Sequence, residues 1–207
     1  MLDAAQSIGQ MPIDLKEIGC DFLCATGRKY LRGPRGTGFL YACRSKLEFC
    51  NPPFIDLQAA TWISDNEYTL QPTARRFETW EQNIAGKIGL STAIDYTLHL
   101  GIESIWARVQ DLSSQLRHAL SHIPSITLQD IGHTKCGIVT FTHDKLSPQN
   151  IQKILEHQHI NVSVSLQEYA RLDLGARRLP AVVRASVHYY NTEAEVDRFC
   201  KVLSQLR

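Results

Sequence analysis

Three short stretches near the start of the chain carry residue types that could do chemistry together. They are Asp3-Ala4-Ala5-Gln6, Thr26-Gly27-Arg28-Lys29 and Gly33-Pro34-Arg35-Gly36-Thr37-Gly38. A lysine amine attacks a carbonyl to form a Schiff base once its proton is gone. A carboxylate can pair with a protonated pyridine nitrogen, and the Thr26 hydroxyl and the Arg28 guanidinium are donors suited to a phosphate. Together these are what pyridoxal phosphate needs in order to act as an electron sink. Taken singly, each signal has a plainer reading. Lys29 reads as a surface lysine, Asp3 as a terminal aspartate, and the glycine run as a tight turn that does not match the P-loop pattern. Composition and spacing alone leave an α/β fragment with an anion site as one option.

The elements that must position these residues are readable from apolar runs. The segment entering Asp3, then Phe22-Leu23-Cys24-Ala25, then Gly38-Phe39-Leu40-Tyr41-Ala42 read as short strands buried on both faces of an α/β sheet. Asp3 then ends one strand and Lys29 follows the next, at the carboxyl ends where open α/β sheets bind ligands. Residues 12–19 read as a short helix closed by Gly19. Residues 50–82 read as a long irregular excursion, of a length usually tied to function or an interface. A helical pattern starts after Asn83, with Ile84, Ile88 and Leu90, and pauses at Gly101. An amphipathic helix follows over 102–122. Strand-like runs at 126–128 and 137–141 come next, then a helix opened by Ser147-Pro148. Strands over 160–164 and 182–189 and a last helix from Asn191-Thr192-Glu193 complete the chain. The fold class is therefore α/β over residues 1–100, followed by a small α+β domain over 101–207.

The bulk numbers exclude several classes. The chain has 207 residues, a formal net charge of +1, 43% hydrophobic and 21% charged residues. No basic run persists, so nucleic acid is not an expected partner, and no apolar stretch or leader suggests a membrane. The expected location is the cytoplasm. The six cysteines form no CxxC pair and read as reduced, often buried thiols. His118 and His122 lie four apart on a helix, but with no third ligand nearby a metal site is not expected.

The ordered combination of motifs resembles the class V aminotransferase and cysteine desulfurase family of fold type I PLP enzymes. That family carries D-x-A-Q, then S-G-H-K, then G-P-x-G-x-G, matched here by the three opening stretches. Arg76-Phe77-Glu78 with Asn83, then Arg184-Ala185-Ser186, then Tyr190-Asn191-Thr192-Glu193-Ala194-Glu195-Val196-Asp197 match its later motifs in order. The resemblance implies that residues 1–100 are the second half of a PLP-binding large domain. It implies that Lys29 forms the Schiff base and later moves the substrate's α-proton. Asp3 would pair with the pyridinium, Ala5 pack on the ring and Gln6 bond its phenolic oxygen. Thr26 and Arg28 would lie by the phosphate, Arg28 standing where the family usually has histidine. Arg184 would bind the carboxylate of a small amino-acid substrate, with Asn83 beside it. The resemblance also implies a homodimer.

Two departures shape the expectation. The stretch Gln167-Glu168-Tyr169-Ala170-Arg171-Leu172-Asp173 has no cysteine where desulfurases carry their catalytic one, which points to the non-desulfurase branch. Thr79-Trp80-Glu81-Gln82 replaces a small-residue-plus-threonine element that reaches a neighbouring subunit's phosphate, and Glu81 there would repel it. The chain also opens on the D-x-A-Q motif itself, so it is expected to be the C-terminal portion of a longer fold. The leading expectation is a PLP enzyme performing C–S β-elimination, transamination or epimerisation. The rival is a truncated remnant that folds or dimerises without cofactor.

Overall fold

The computed structural model describes residues 1–206. The chain divides into two compact units, Met1–Ile102 and Glu103–Arg207.

In the first unit, β1 (Leu2–Asp3), β2 (Phe22–Thr26) and β3 (Gly38–Ala42) form one mixed sheet in that order. β1 runs parallel to β2, with Asp3 opposite Cys24, and β3 is antiparallel to β2, with Gly38 opposite Thr26. The expected helix over 12–19 is a single turn, α1 (Leu15–Ile18). Asp14 caps it by accepting from the N–H groups of Lys16 and Glu17, and the left-handed Gly19 ends it. One expectation fails at β3: Phe39 and Leu40 remain about two-fifths exposed rather than buried on both faces.

The excursion over 50–82 is more regular than its composition suggests. It contains a hairpin, β4 (Ala60–Ser64) and β5 (Glu67–Leu70), with Trp62 opposite Tyr68. A lone two-stranded hairpin is marginal in water, and its neighbours are tied down by two polar side chains. Arg76, on the 3-10 turn Ala74–Phe77, is buried. Its guanidinium donates to the carbonyls of Gln71 at 2.8 Å, Cys50 at 3.3 Å and Leu47. The Asp56 carboxylate accepts from the N–H groups of Trp80, Gln58 and Ala59, which hold it below the usual carboxylate range. The unit ends with α2 (Ile84–Leu100), capped by Asn83 and closed at Gly101. This helix buries Gly86, Leu90 and Thr97 but leaves Ile84, Ile88 and Leu98 exposed.

The second unit has the order α3 (Ile102–Ser121), β6 (Ile126–Leu128), β7 (Ile138–His143), α4 (Pro148–His157), β8 (Ser163–Leu166), β9 (Ala181–Ser186) and α5 (Glu193–Ser204). The four strands are antiparallel in the order β6-β7-β9-β8. All three helices cover one face: Leu112, Leu116 and Leu120 of α3, Ile151 and Leu155 of α4, and Val196, Phe199 and Leu203 of α5 share a core with Val139, Phe141, Val183 and Ala185. β8 begins three residues later than the apolar run suggests. His159 takes a left-handed turn (φ 56°), so pairing with β9 starts only at Ser163. Among the described residues no helix is long and apolar enough to cross a membrane.

The N-terminus of α5 carries a full capping box. Thr192 accepts from the Glu195 N–H, and Glu195 accepts from the Thr192 N–H. In the same turn Glu193 is bound by the Arg108 guanidinium of α3, which also donates to the Asn191 carbonyl at 2.9 Å. That hydrogen bond holds the Glu193 carboxyl at about 2 against an ordinary 4.5. A carboxyl depressed on folding contributes stability that is complete above its unfolded value and is lost as pH falls through its folded one. Glu193→Gln should therefore lower the melting temperature near neutral pH. The gap to the parent should shrink between pH 4.5 and 2. Parallel melting curves across that range would show a gap that does not close if the pair is inert.

Candidate active site

The three opening stretches converge on the carboxyl end of the β1–β2 pair. Asp3 ends β1 and lies opposite Cys24, and Thr26 ends β2 two residues further on. Because side chains alternate along a strand, Asp3, Cys24 and Thr26 share one face. The chain leaves β1 with the fully buried Ala4, whose N–H donates to the Cys24 carbonyl at 2.8 Å. The Asp3 carboxylate is oriented by its own backbone, since Oδ1 accepts from the Ala5 N–H at 2.9 Å. Gln6 follows in a turn in which the Ser7 and Ile8 N–H groups both donate to the Ala4 carbonyl. The Gln6 carbonyl accepts from the side-chain amide of Gln10, which is only 1% exposed.

Lys29 sits in a closed loop directly after β2. The Gly27 N–H donates to the Thr37 carbonyl at 2.9 Å, and the Gly33 N–H returns to the Gly27 carbonyl at 2.7 Å. Between them the Arg32 N–H donates to the Lys29 carbonyl, and Arg32 takes a left-handed backbone (φ 59°). Tyr30 and Leu31, each 5% exposed, pin the loop inward, while Lys29 is half-buried and Arg28 exposed. A side chain at Gly27 would force two neighbouring side chains aside. A Cβ there would lie 2.3 Å from the Thr37 hydroxyl and 2.8 Å from a Leu90 methyl, so the base of the lysine loop rests on α2. Arg32 also stacks over Tyr96 of that helix at 5.1 Å. The Thr26 hydroxyl makes only a long 3.4 Å bond to the Thr37 carbonyl.

The other site candidates divide between the two units. Asn83 belongs to the first unit and is the N-cap of α2, its Oδ1 accepting from the Gly86 N–H at 2.8 Å. It lines an open cavity of about 850 Å³, with Thr37, Gly38, Phe77, Gln82 and Lys87 among its walls. Arg184 belongs to the second unit, at the centre of β9 between Thr140 of β7 and Ser163 of β8. By strand alternation it faces away from the helix-covered core that holds Val183 and Ala185. The cysteine-free stretch 167–173 is compactly folded: a 3-10 turn (Gln167–Tyr169) leads into one π-helical turn (Arg171–Gly175) with Leu174 buried. Arg177 fastens its far end by donating to Asp173 and to the Gln129 carbonyl and side chain.

Reading the sequence named Arg76 as part of a family motif without giving it a role, and did not single out Gln10 or the π-helical turn. The burial of Arg76 has no local signal, since Arg75 beside it in the same 3-10 segment stays exposed. Of the six thiols only Cys200 is buried, against the expectation that many would be, and burial pushes it up to about 11. Cys43 is lowered instead, by the hydroxyl and N–H of Ser45. The His122 ring nitrogen lies 2.8 Å from the His118 carbonyl, and among the described residues no group of three metal-ligating side chains occurs.

The donor set fits pyridoxal phosphate in kind: an amine, one oriented carboxylate, a hydroxyl with bonding capacity left and an exposed guanidinium, all beyond two parallel strand ends. The profile of the family described as aminotransferase class-V matches residues 1–199. A curated protein of Methanothermobacter thermautotrophicus described as "Probable cysteine desulfurase" is 31% identical over 210 residues, covering 100% of this chain and 52% of its own length. The apo cysteine desulfurase of Thermococcus onnurineus superposes with a TM-score of 0.90 at 30% identity, over 98% of this chain and 51% of that one. The cystine C–S lyase C-DES, solved with its product cysteine persulfide, superposes with a TM-score of 0.83 at 26% identity, over 97% and 50%. The chain spans about half the length of the curated relatives it matches.

Proposed function

The chain belongs to the aminotransferase class-V family, and on that footing we propose that it holds pyridoxal phosphate through Lys29 and cleaves the C–S bond of a small amino acid by β-elimination. The observation that carries the reading is the convergence at one sheet edge. Asp3 ends β1, Thr26 ends the parallel β2, and the closed Lys29 loop follows immediately. Elimination is favoured over persulfide transfer because residues 167–173 offer no thiol, and it is the chemistry named for the C–S lyase relative.

The chain's own residues would divide the work by charge and reach. The Lys29 amine would hold the cofactor covalently and would take the proton from the substrate's α-carbon. The Asp3 carboxylate, aimed by the Ala5 N–H, holds a proton on the ring nitrogen. Ala5 packs on the ring and Gln6 bonds its phenolic oxygen, while Thr26 and Arg28 donate to the phosphate. Arg184 and Asn83 are the residues the resemblance assigns to the substrate, the Arg184 guanidinium suiting a carboxylate through a two-pronged bond. When bound, the cofactor supplies a sink for the electron pair left on the α-carbon. The sulfur would leave the β-carbon with its bonding pair, and addition of one water to the released carbon fragment would give pyruvate and ammonia. A homodimer belongs to the same reading, and the exposed Trp62, Ile63 and Tyr68 of the hairpin are the surface it offers a second copy.

The test is product analysis of the chain supplied with pyridoxal phosphate and cysteine or cystine, without any keto acid. Pyruvate should appear together with sulfide from cysteine, or with cysteine persulfide from cystine. Alanine as the carbon product would replace elimination with desulfuration, and turnover only after adding a keto acid would replace it with transamination.

A further inference from the structure

We propose that Gly9 is a positioning residue that sets the Lys29 loop against the Asp3–Gln6 segment, by allowing two backbones to touch where any side chain would hold them apart. The inference rests on the reading of Lys29 as the anchoring amine.

The contact is a second tie, beyond the strand ends, between two pieces of the site that the β1–β2 pairing brings side by side. Gly9 is buried and has φ +89°, a conformation that residues with side chains rarely adopt. A Cβ built on it would lie 2.7 Å from the Leu31 nitrogen, 2.9 Å from the Tyr30 carbonyl carbon and 3.2 Å from the Leu31 Cα. All three are backbone atoms, so no flexible side chain can swing aside. On one side of the contact, the turn containing Gly9 is fastened to Asp3 through short steps. The Ser7 and Ile8 N–H groups bind the Ala4 carbonyl, the Gln10 N–H binds the Ser7 carbonyl, and the buried Gln10 amide binds the Gln6 carbonyl. On the other side, Tyr30 and Leu31 follow Lys29 directly, in a loop closed by the Gly27–Gly33 bond. The separation of Lys29 from Asp3 and Gln6 is therefore set by the β1–β2 pairing and, beyond the strand ends, by the Gly9 contact. Restoring ordinary contact would move the Leu31 backbone by roughly 0.7 Å, and a misplacement of about 1 Å can cost ~100-fold where covalent geometry must be met.

Gly19 supplies the control. It also has a positive φ (+67°), so alanine there suffers similar backbone strain, but a Cβ would meet nothing within 4 Å. Two readouts compare Gly9→Ala, Gly19→Ala and the parent chain. The first is the yield of pyridoxyl group fixed on Lys29, relative to other lysines, after borohydride reduction with pyridoxal phosphate and peptide mapping. The second is hydrogen exchange, in the cofactor-free chain, of the Gly27, Arg32 and Gly33 amides against the β2–β3 ladder amides. Gly9→Ala should lower Lys29 fixation by about 10–100-fold and speed the three loop amides while the ladder stays protected. Gly19→Ala should match the parent in both. Either readout of Gly9→Ala staying with the control overturns the proposal. Ladder amides that exchange in step with the loop also overturn it, because Gly9 would then be holding up the whole unit. If the parent chain itself fixes nothing on Lys29, the function proposed above fails, and the loop amides alone decide the role of Gly9.

Discussion

Lys29→Ala should abolish the visible absorbance band that the chain retains after incubation with pyridoxal phosphate and dialysis, and with it all pyruvate release. Two roles vanish at once. Without the amine no covalent anchor remains for the cofactor, and without a positioned base the α-proton is lost more slowly by a further factor of about 10²–10⁴. The fold should survive, because the loop is pinned by Tyr30 and Leu31 and closed by backbone bonds. The measurement is a spectrum beside a melting curve. An unchanged melt with no band supports the assignment. A band of parental intensity in the alanine variant would sink it and direct attention to Lys87, whose cavity borders Asn83.

Arg117→Ala should be the most damaging single change in the second unit. The Arg117 Nε donates to Asp130 at 2.7 Å with both side chains about one-eighth exposed, and its Nη2 reaches the carbonyls of Cys136 at 2.7 Å and Ile138 at 3.2 Å. The second oxygen of Asp130 is buried with no hydrogen-bond partner, so the arginine is its only compensation. Breaking a buried pair by removing one member costs about 3–5 kcal/mol. For a unit of this size that corresponds to a fall in melting temperature of more than about 12 °C. Replacing both partners, as Arg117→Met with Asp130→Leu, should recover most of the loss because no unpaired charge remains. A single mutant within about 1 kcal/mol of the parent would mean the pair behaves as a surface ion pair.

Much of this architecture was legible because local signals and tertiary demands agreed. Ser147-Pro148 opens α4, Thr192 with Glu195 opens α5, and the three apolar runs became β1, β2 and β3. The hairpin over 60–70 was also writable in advance. Thr61-Trp62-Ile63 and Tyr68-Thr69-Leu70 flank Asp65-Asn66, a β-branched and aromatic pattern around a turn pair, which the surrounding prolines obscured. Other features have no local signature. The late start of β8 depends on the left-handed turn at His159 and on pairing with β9. The π-helical turn over 171–175 depends on Leu174 burying itself and on Arg177 reaching Gln129. For the site, order and spacing of motifs pointed to the sheet edge, but the oriented carboxylate of Asp3 and the Gly9 contact are facts of chain crossing. They become visible only once residues 4–10 and 27–33 are seen to share one edge.

The place of β9 in its sheet has a consequence for how the protein is made. It lies between β7 and β8 although it is the last of the four to be translated, so the sheet cannot close until residues 181–186 have been synthesised. At ordinary translation speeds residues 144–180 take roughly 2–7 s to emerge. Throughout that interval β7 keeps one edge unpaired, with Val139 and Phe141 awaiting the strand that will cover them, which is the kind of edge on which nascent chains associate with one another. The strand that brings Arg184 to the centre of the sheet is thus also the one whose arrival ends the chain's most vulnerable period on the ribosome.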